Sequence, residues 1–385
     1  MSVIYDTFRR IDQQREQNQQ TDGANLRLMQ SRESRNIMMS RARGRSFKVL
    51  TVSSNKGGVG KSTISSNLAV YFRALREDLP ILIFGLDDQS ILDRMFCLDD
   101  RDHDQTVATG LRTGDFSSVI RLGQYGVHYI PSAPNASELK AEIQNPLCVL
   151  ETLQRTNWNG VVIIDTKSDL EILTRNAVAA SDLVLIPVKN DTSLREARKV
   201  FGILDEWSWP RERARIVLSM LDRRIKYRDG EDLDVLSLLL RQIRKDGFPL
   251  LESFISGSPK IESLSTNPEG RMMSILHGAP NSIVHRQMHH VAEELLKSLD
   301  QVSLTSVDAT GPVEVPPATP EELEPEPTAF SEVDVTPDEC RDAFREARNL
   351  IDRWKRQSST RNPLSSRSLW RRGRTAFDLA GTGTK

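Results

Sequence analysis

Between Lys56 and Thr63 the chain reads Lys-Gly-Gly-Val-Gly-Lys-Ser-Thr, a composition suited to holding phosphate. Gly57, Gly58 and Gly60 leave backbone N–H groups free to curl round an anion, and a following helix adds the positive end of its dipole. Lys61 is placed to reach the β- and γ-phosphates of a nucleotide, and the Ser62 hydroxyl to ligate Mg²⁺. Val59 and Thr63 complete the run. Downstream, Val161-Val162-Ile163-Ile164-Asp165-Thr166 is an apolar run ending in a carboxylate, the expected second Mg²⁺ partner at the edge of a parallel sheet. The residues Gly85-Leu86-Asp87-Asp88-Gln89 offer another acid, Asp87, at the end of a second apolar run.

Such a site needs strand–loop–helix geometry, and the surrounding pattern supplies it. Short apolar runs at Val49–Val52, Ile81–Phe84, Val161–Ile164, Leu183–Val188 and Ile216–Leu218 read as strands apolar on both faces. Helix-length stretches lie between or after them: Ser62–Leu75, Glu171–Ala180, Ser193–Trp207, Leu233–Lys245 and a final Ser282–Leu299. The expected fold class is α/β: a doubly wound, mainly parallel sheet of seven to eight strands, with disordered tails and a short C-terminal helix.

Lys56 opens the octet immediately before Gly-Gly. With it, the octet resembles the deviant Walker A motif of the ParA/MinD superfamily of P-loop ATPases, with the ParA-type partitioning and positioning proteins the nearest match. The resemblance covers about 47–299. It implies that ATP and Mg²⁺ are the ligands and that Lys56 reaches across a dimer interface to the partner's nucleotide. It also implies that Asp87 helps position the attacking water, so that Lys56, Lys61 and Asp87 form the catalytic set. The motif departs from the family at Gly85 and Asp88, at Lys167 and Ser168 where two prolines commonly follow the Walker B acid, and at Ser256 in the adenine-loop segment Phe254–Ile261.

Flanking segments differ in composition. Residues 1–46 are a Gln- and Arg-rich extension in which Ile4, Phe8 and Ile11 mark a short amphipathic helix. Residues 300–335 are Pro- and acid-rich, the signature of a solvated linker. Thr336, Pro337 and Glu339 form a capping box for an amphipathic helix over 336–357, striped by Phe344, Ala347, Ile351 and Trp354. Residues 358–385 make a basic tail. The mixed charge of the 336–357 helix suits a protein partner better than a bilayer.

Composition narrows the function classes. The net charge of −1 leaves no global field toward nucleic acid or membrane, so DNA contact would rest on a local patch. Candidates are Arg211, Arg213 and Arg215, and the cluster Arg223, Arg224, Lys226 and Arg228. Three cysteines without paired spacing give no iron–sulfur or zinc motif. No apolar run approaches the ~20 residues of a membrane span. His285, His289 and His290 lack a metal-binding pattern and are expected to be packing or surface groups. The resulting expectation is a cytoplasmic, nucleoid-associated ATPase that dimerises on ATP, binds nonspecific DNA and positions a cargo. A ParB-like activator or cargo adaptor would be its protein partner. The alternative is a MinD-like or flagellar nucleotide-gated adaptor with weak hydrolysis, recruiting partners through its tails.

Overall fold

In the computed structural model the described residues are 45–87, 91–98, 105–221, 226–229, 231–264 and 272–305. The expectations for residues 1–44, for residues 306–335 of the 300–335 linker, for the 336–357 helix and for the basic tail lie outside them; the first residues of the expected linker belong instead to the last helix.

The sheet has eight strands. They are β1 (Phe47–Val52), β2 (Ile81–Gly85), β3 (Arg121–Leu122), β4 (His128–Tyr129), β5 (Gly160–Asp165), β6 (Leu183–Val188), β7 (Ala214–Leu221) and β10 (Leu250–Ser256), in the order β10-β7-β6-β1-β5-β2-β4-β3. All pairings are parallel except β3 with β4. Parallel neighbours need crossover helices, and the central strands are therefore covered on both faces.

Alternation along the strands assigns those faces. Leu50, Val52, Val161, Ile163, Leu183 and Leu185 pack with α1 (Lys61–Leu75) and the final helix α11 (Ile283–Thr305). Phe47, Val49, Val162 and Ile164 point the other way, onto a layer containing α3 (Val107–Thr113), α5 (Cys148–Arg155) and α6 (Ile172–Ala180). Val184, Ile186 and Ile216 meet α7 (Asp191–Glu206) and α8 (Val235–Lys245) on that same side. Short helices α2 (Ile91–Phe96), α4 (Ala136–Glu142), α9 (Pro259–Ser263) and α10 (Ile275–Gly278) fill the loops.

Two expected boundaries move. The stretch from Leu233 splits, because Leu233 and Asp234 pair across a hairpin of β8 (Lys226–Asp229) and β9 (Glu231–Asp234) before α8 begins. The final helix continues past Leu299 to Thr305.

Candidate phosphate-binding site

β1 and β5 lie side by side in register, with Val52 opposite Asp165. The loop leaving β1 therefore passes beside the acid that ends β5. Period-two alternation also aims Asp165, like Val161 and Ile163, at the α1 face. Neighbouring elements pin the loop. Ser53 N donates to Leu185 O at 3.0 Å, and Ser219 Oγ, at the end of β7, donates to Val59 O at 2.9 Å. Asn55 Nδ2 donates to Glu196 on α7.

Gly58 and Gly60 have φ of +72° and +88°, the left-handed region where a side chain is strained. Gly60 is the N-cap of α1, with no capping side chain, and no acid occupies the helix's first turn. The positive helix end thus faces the loop without a built-in counter-charge.

The two lysines of the loop differ in setting. Lys56 is exposed. Lys61 is buried, and its ammonium donates to Lys56 O at 3.4 Å and to Ser168 Oγ at 2.5 Å. Burial pushes its pKa down, while Asp165, Asp87 and Asp169 pull it up. Asp165 is enclosed, and desolvation raises its carboxyl to about 6 against the Ser62 and Ser65 hydroxyls and Lys61, which favour the anion. Its Oδ1 is buried without a hydrogen-bond partner among the described residues. A buried, unsatisfied carboxylate oxygen beside hydroxyls fits a divalent cation. No cluster of three or more His, Cys, Asp or Glu residues suited to a metal occurs among the described residues. A cation held by Asp165 and Ser62 would complete its shell with water and phosphate oxygens, as Mg²⁺ prefers.

Beyond Gly60 and Thr63 the loop opens into a cavity of about 190 Å³ walled by Met220, Met272, Met273 and Met288, with Ser256 and Gly257 at its edge. The segment Phe254–Ile261, expected to line the base, contributes Ile255 through Ser258 and Ile261 to this wall. Ser65, Ser219 and the methionine lining were not singled out from the sequence. Lone serines and dispersed methionines carry no spacing signal.

The DNA candidates fare differently. Arg213 is tied into the fold: its guanidinium lies 3.8 Å from the Trp209 ring centroid and donates to Ser181 O, beside the Arg45–Asp182 ion pair. That cluster sits at the N-terminal ends of β6 and β7, opposite the phosphate loop, and packing rather than exposure accounts for the residue. Burial lowers this guanidinium to about 10. Arg211 pairs with Asp205 at 2.7 Å, and Arg215 donates to the Glu212 and Ala214 carbonyls. Lys226 and Arg228 fall on β8 opposite Asp234 and Asp232. Arg223 and Arg224 lie outside the described residues. His285 is bonded to Tyr71 Oη at 2.7 Å, and His289 and His290 face Glu293, as packing and surface groups would.

A parallel sheet with a glycine loop between its central strand and a helix, a buried lysine and a strand-end carboxylate define a P-loop nucleoside triphosphatase fold. A profile described as an AAA domain matches residues 47–201. The chromosome-partitioning ATPase Soj of Thermus thermophilus is 26% identical over 149 residues, 36% of this chain and 54% of that protein. The chain thus spans about half the length of that relative. Septum site-determining protein MinD of Synechocystis is 26% identical over 228 residues, 56% of this chain and 82% of that one. Among solved structures, a putative plasmid partition protein of Borrelia burgdorferi bound to AMPPNP superposes with a TM-score of 0.52 at 20% identity, covering 65% of this chain and 98% of that one. The chain is similar to members of the ParA/MinD superfamily of P-loop ATPases.

Proposed function

We propose that the protein binds ATP with Mg²⁺, dimerises on it, associates with nonspecific DNA and positions a DNA or protein cargo until hydrolysis resets it. The observation that carries this reading is the contrast between a buried Lys61 and an exposed Lys56 on one loop. One cation serves the chain's own phosphates, and the other is displayed to a second molecule.

Within the subunit, Lys61 and the loop N–H groups offset phosphate charge, and Met220 with the other methionines encloses the base. Mg²⁺, held by Asp165 and Ser62, would screen the phosphate oxygens against one another. Asp87 lies within electrostatic reach of both Lys61 and Asp165 and would accept a hydrogen bond from the attacking water, holding it in line with the terminal phosphate. Hydrolysis would be slow until a protein partner arrives. The bound ATP analogue in the Borrelia neighbour is consistent with ATP as the ligand.

A second reading is a MinD-like nucleotide-gated adaptor with weak hydrolysis. It is favoured by the basic candidates, since Arg211 and Arg213 are engaged within the fold and Lys226 and Arg228 sit opposite acids in the hairpin register. The test is binding to a random-sequence duplex, with mass by light scattering, in no nucleotide, ADP and ATP–Mg²⁺. Salt-sensitive binding by an ATP-dependent dimer supports positioning on DNA. A dimer that ignores DNA moves the assignment to the adaptor. A chain that stays monomeric in ATP defeats both.

A further inference from the structure

Ser168 stands three residues beyond Asp165, and it is exposed while its hydroxyl accepts a hydrogen bond from the buried Lys61 ammonium. It also abuts the crown of the loop, since a Cβ added at Gly57 would lie 3.9 Å from Ser168 Oγ. Its neighbours in the chain are tied to different parts of the molecule. On one side Thr166 is fixed to the sheet, with Thr166 N and Oγ1 both donating to Val52 O, at 3.3 and 3.1 Å. On the other side Asp169 is fixed to the helical layer. Its Oδ1 accepts from Thr174 Oγ1 at 3.0 Å and from Glu171 N at 3.2 Å, and its Oδ2 pairs with Lys140 on α4 at 2.8 Å. The Lys140 and Asp169 side chains are only 17% and 19% exposed, so this ion pair is more shielded than a surface pair. Lys167 and Ser168 alone separate the two anchors.

We propose that Ser168 is the residue by which this site distinguishes a nucleoside triphosphate from a diphosphate, and that the Asp169–Lys140 pair carries the difference to α4. The inference rests on the nucleotide reading above and adds to it. A hydroxyl is both donor and acceptor. A terminal phosphate oxygen competing for the Lys61 ammonium does so where Ser168 now accepts, and the hydroxyl can turn its proton to that oxygen. A diphosphate brings no such oxygen and leaves Ser168 on the lysine. Any displacement of Ser168 has only Lys167 to absorb it toward the sheet. Toward the helices it meets Asp169 directly, and through it Lys140.

The test is calorimetric titration of the full chain with ADP and with the β,γ-imido analogue of ATP, in the wild type, Ser168→Ala and Ser168→Thr. Thermal unfolding of each variant confirms the fold. The wild type should prefer the triphosphate. Ser168→Ala should reduce the ratio of the two affinities at least fivefold, chiefly by weakening the analogue, and Ser168→Thr should retain it. Hydrogen exchange of residues 136–142 should differ between the two nucleotides in the wild type, and the difference should vanish in Ser168→Ala and Lys140→Met. An unchanged affinity ratio in Ser168→Ala, with ADP still bound, overturns the proposal and leaves the nucleotide site standing. Identical exchange over 136–142 with both nucleotides in the wild type overturns the relay to α4. Failure of the wild type to bind either nucleotide defeats the nucleotide reading itself, and this proposal with it.

Discussion

Lys61 reaches back along its own loop to the carbonyl oxygen of Lys56, five residues earlier, at 3.4 Å, yet the two side chains live in opposite surroundings. The Lys61 ammonium is buried among three carboxylates, and the Lys56 ammonium is exposed. One loop therefore presents one cation inward and one outward. Their substitutions should separate two properties that a single phosphate site would merge.

Lys61→Ala removes a desolvated, charge-assisted donor and should weaken ATP binding by a hundredfold or more, about 3 kcal/mol. Lys56→Ala should leave the affinity of the monomer for ADP within about threefold, since an exposed charge contributes little in water. It should nevertheless abolish ATP-dependent mass doubling in light scattering. Equal loss of ADP affinity in the two variants would show that Lys56 serves its own subunit's phosphates.

Asp165 should give the site a pH dependence that tracks its elevated carboxyl. Because burial lifts this group from 3.8 to about 6, the native state keeps a proton over that window which the unfolded chain has released. The contribution of Asp165 to stability is full below about pH 4 and falls as pH rises to about 6, by up to roughly 3 kcal/mol. Asp165→Asn should flatten that slope and, near pH 7.5 without ligand, unfold at a higher temperature than wild type. A divalent cation competes with the same proton. Stabilisation by Mg²⁺ with nucleotide should thus grow from pH 5.5 to 7.5 in the wild type and be absent in the variant, as read by thermal shift. A Mg²⁺ effect that persists in Asp165→Asn would place the cation elsewhere.

How much of this was readable beforehand depends on whether a residue's role is local. The octet and its flanking strand and helix were legible because glycine, lysine and serine act there through backbone geometry set by near neighbours. The strands of the central sheet were legible because being buried on both faces leaves an unbroken apolar run. The hairpin β8–β9 was missed because its alternation is charged and runs straight into α8, with no turn residue between Asp234 and Val235. The contacts of Arg213 were not legible because a charge cluster carries no sign of what it will touch. Its partners, Trp209 and Ser181, come from different crossings of the sheet, and the Arg45–Asp182 pair beside them spans 137 positions. Ser168 was visible only as a departure from the family pattern. Its contact with Lys61 spans 107 positions and exists only once β1 and β5 pair.

Arg213→Ala tests the structural reading of that arginine. It removes a guanidinium stacked on Trp209 and leaves the Ser181 carbonyl without that donor, a cost of about 2–3 kcal/mol. For a domain of this size the melting temperature should fall by roughly 5–10 °C. Affinity for a random duplex, measured where the variant is still folded, should match the wild type. A variant that melts normally and loses DNA binding would return Arg213 to the interface.

Glycine substitutions offer a check on the loop that does not depend on charge. Gly60 sits at φ +88°, and an added Cβ would lie 3.2 Å from Met220 Sδ, a flexible end that can yield by the few tenths of an ångström required. The larger cost of Gly60→Ala is the left-handed backbone, about 1–2 kcal/mol. The loop can relieve that strain only by rotating the N–H groups that would face phosphate. ATP affinity should accordingly drop more than tenfold, beyond what the modest fall in melting temperature accounts for. Gly202, inside α7, has nothing within 4 Å of its added Cβ. Gly202→Ala should stabilise the fold by about 0.5–1 kcal/mol with nucleotide affinity unchanged, because alanine relieves only the chain-entropy cost of glycine in a helix. If both variants bound nucleotide like the wild type, the left-handed turn at Gly60 would have no part in shaping the site, and the phosphate-loop assignment would fall with it.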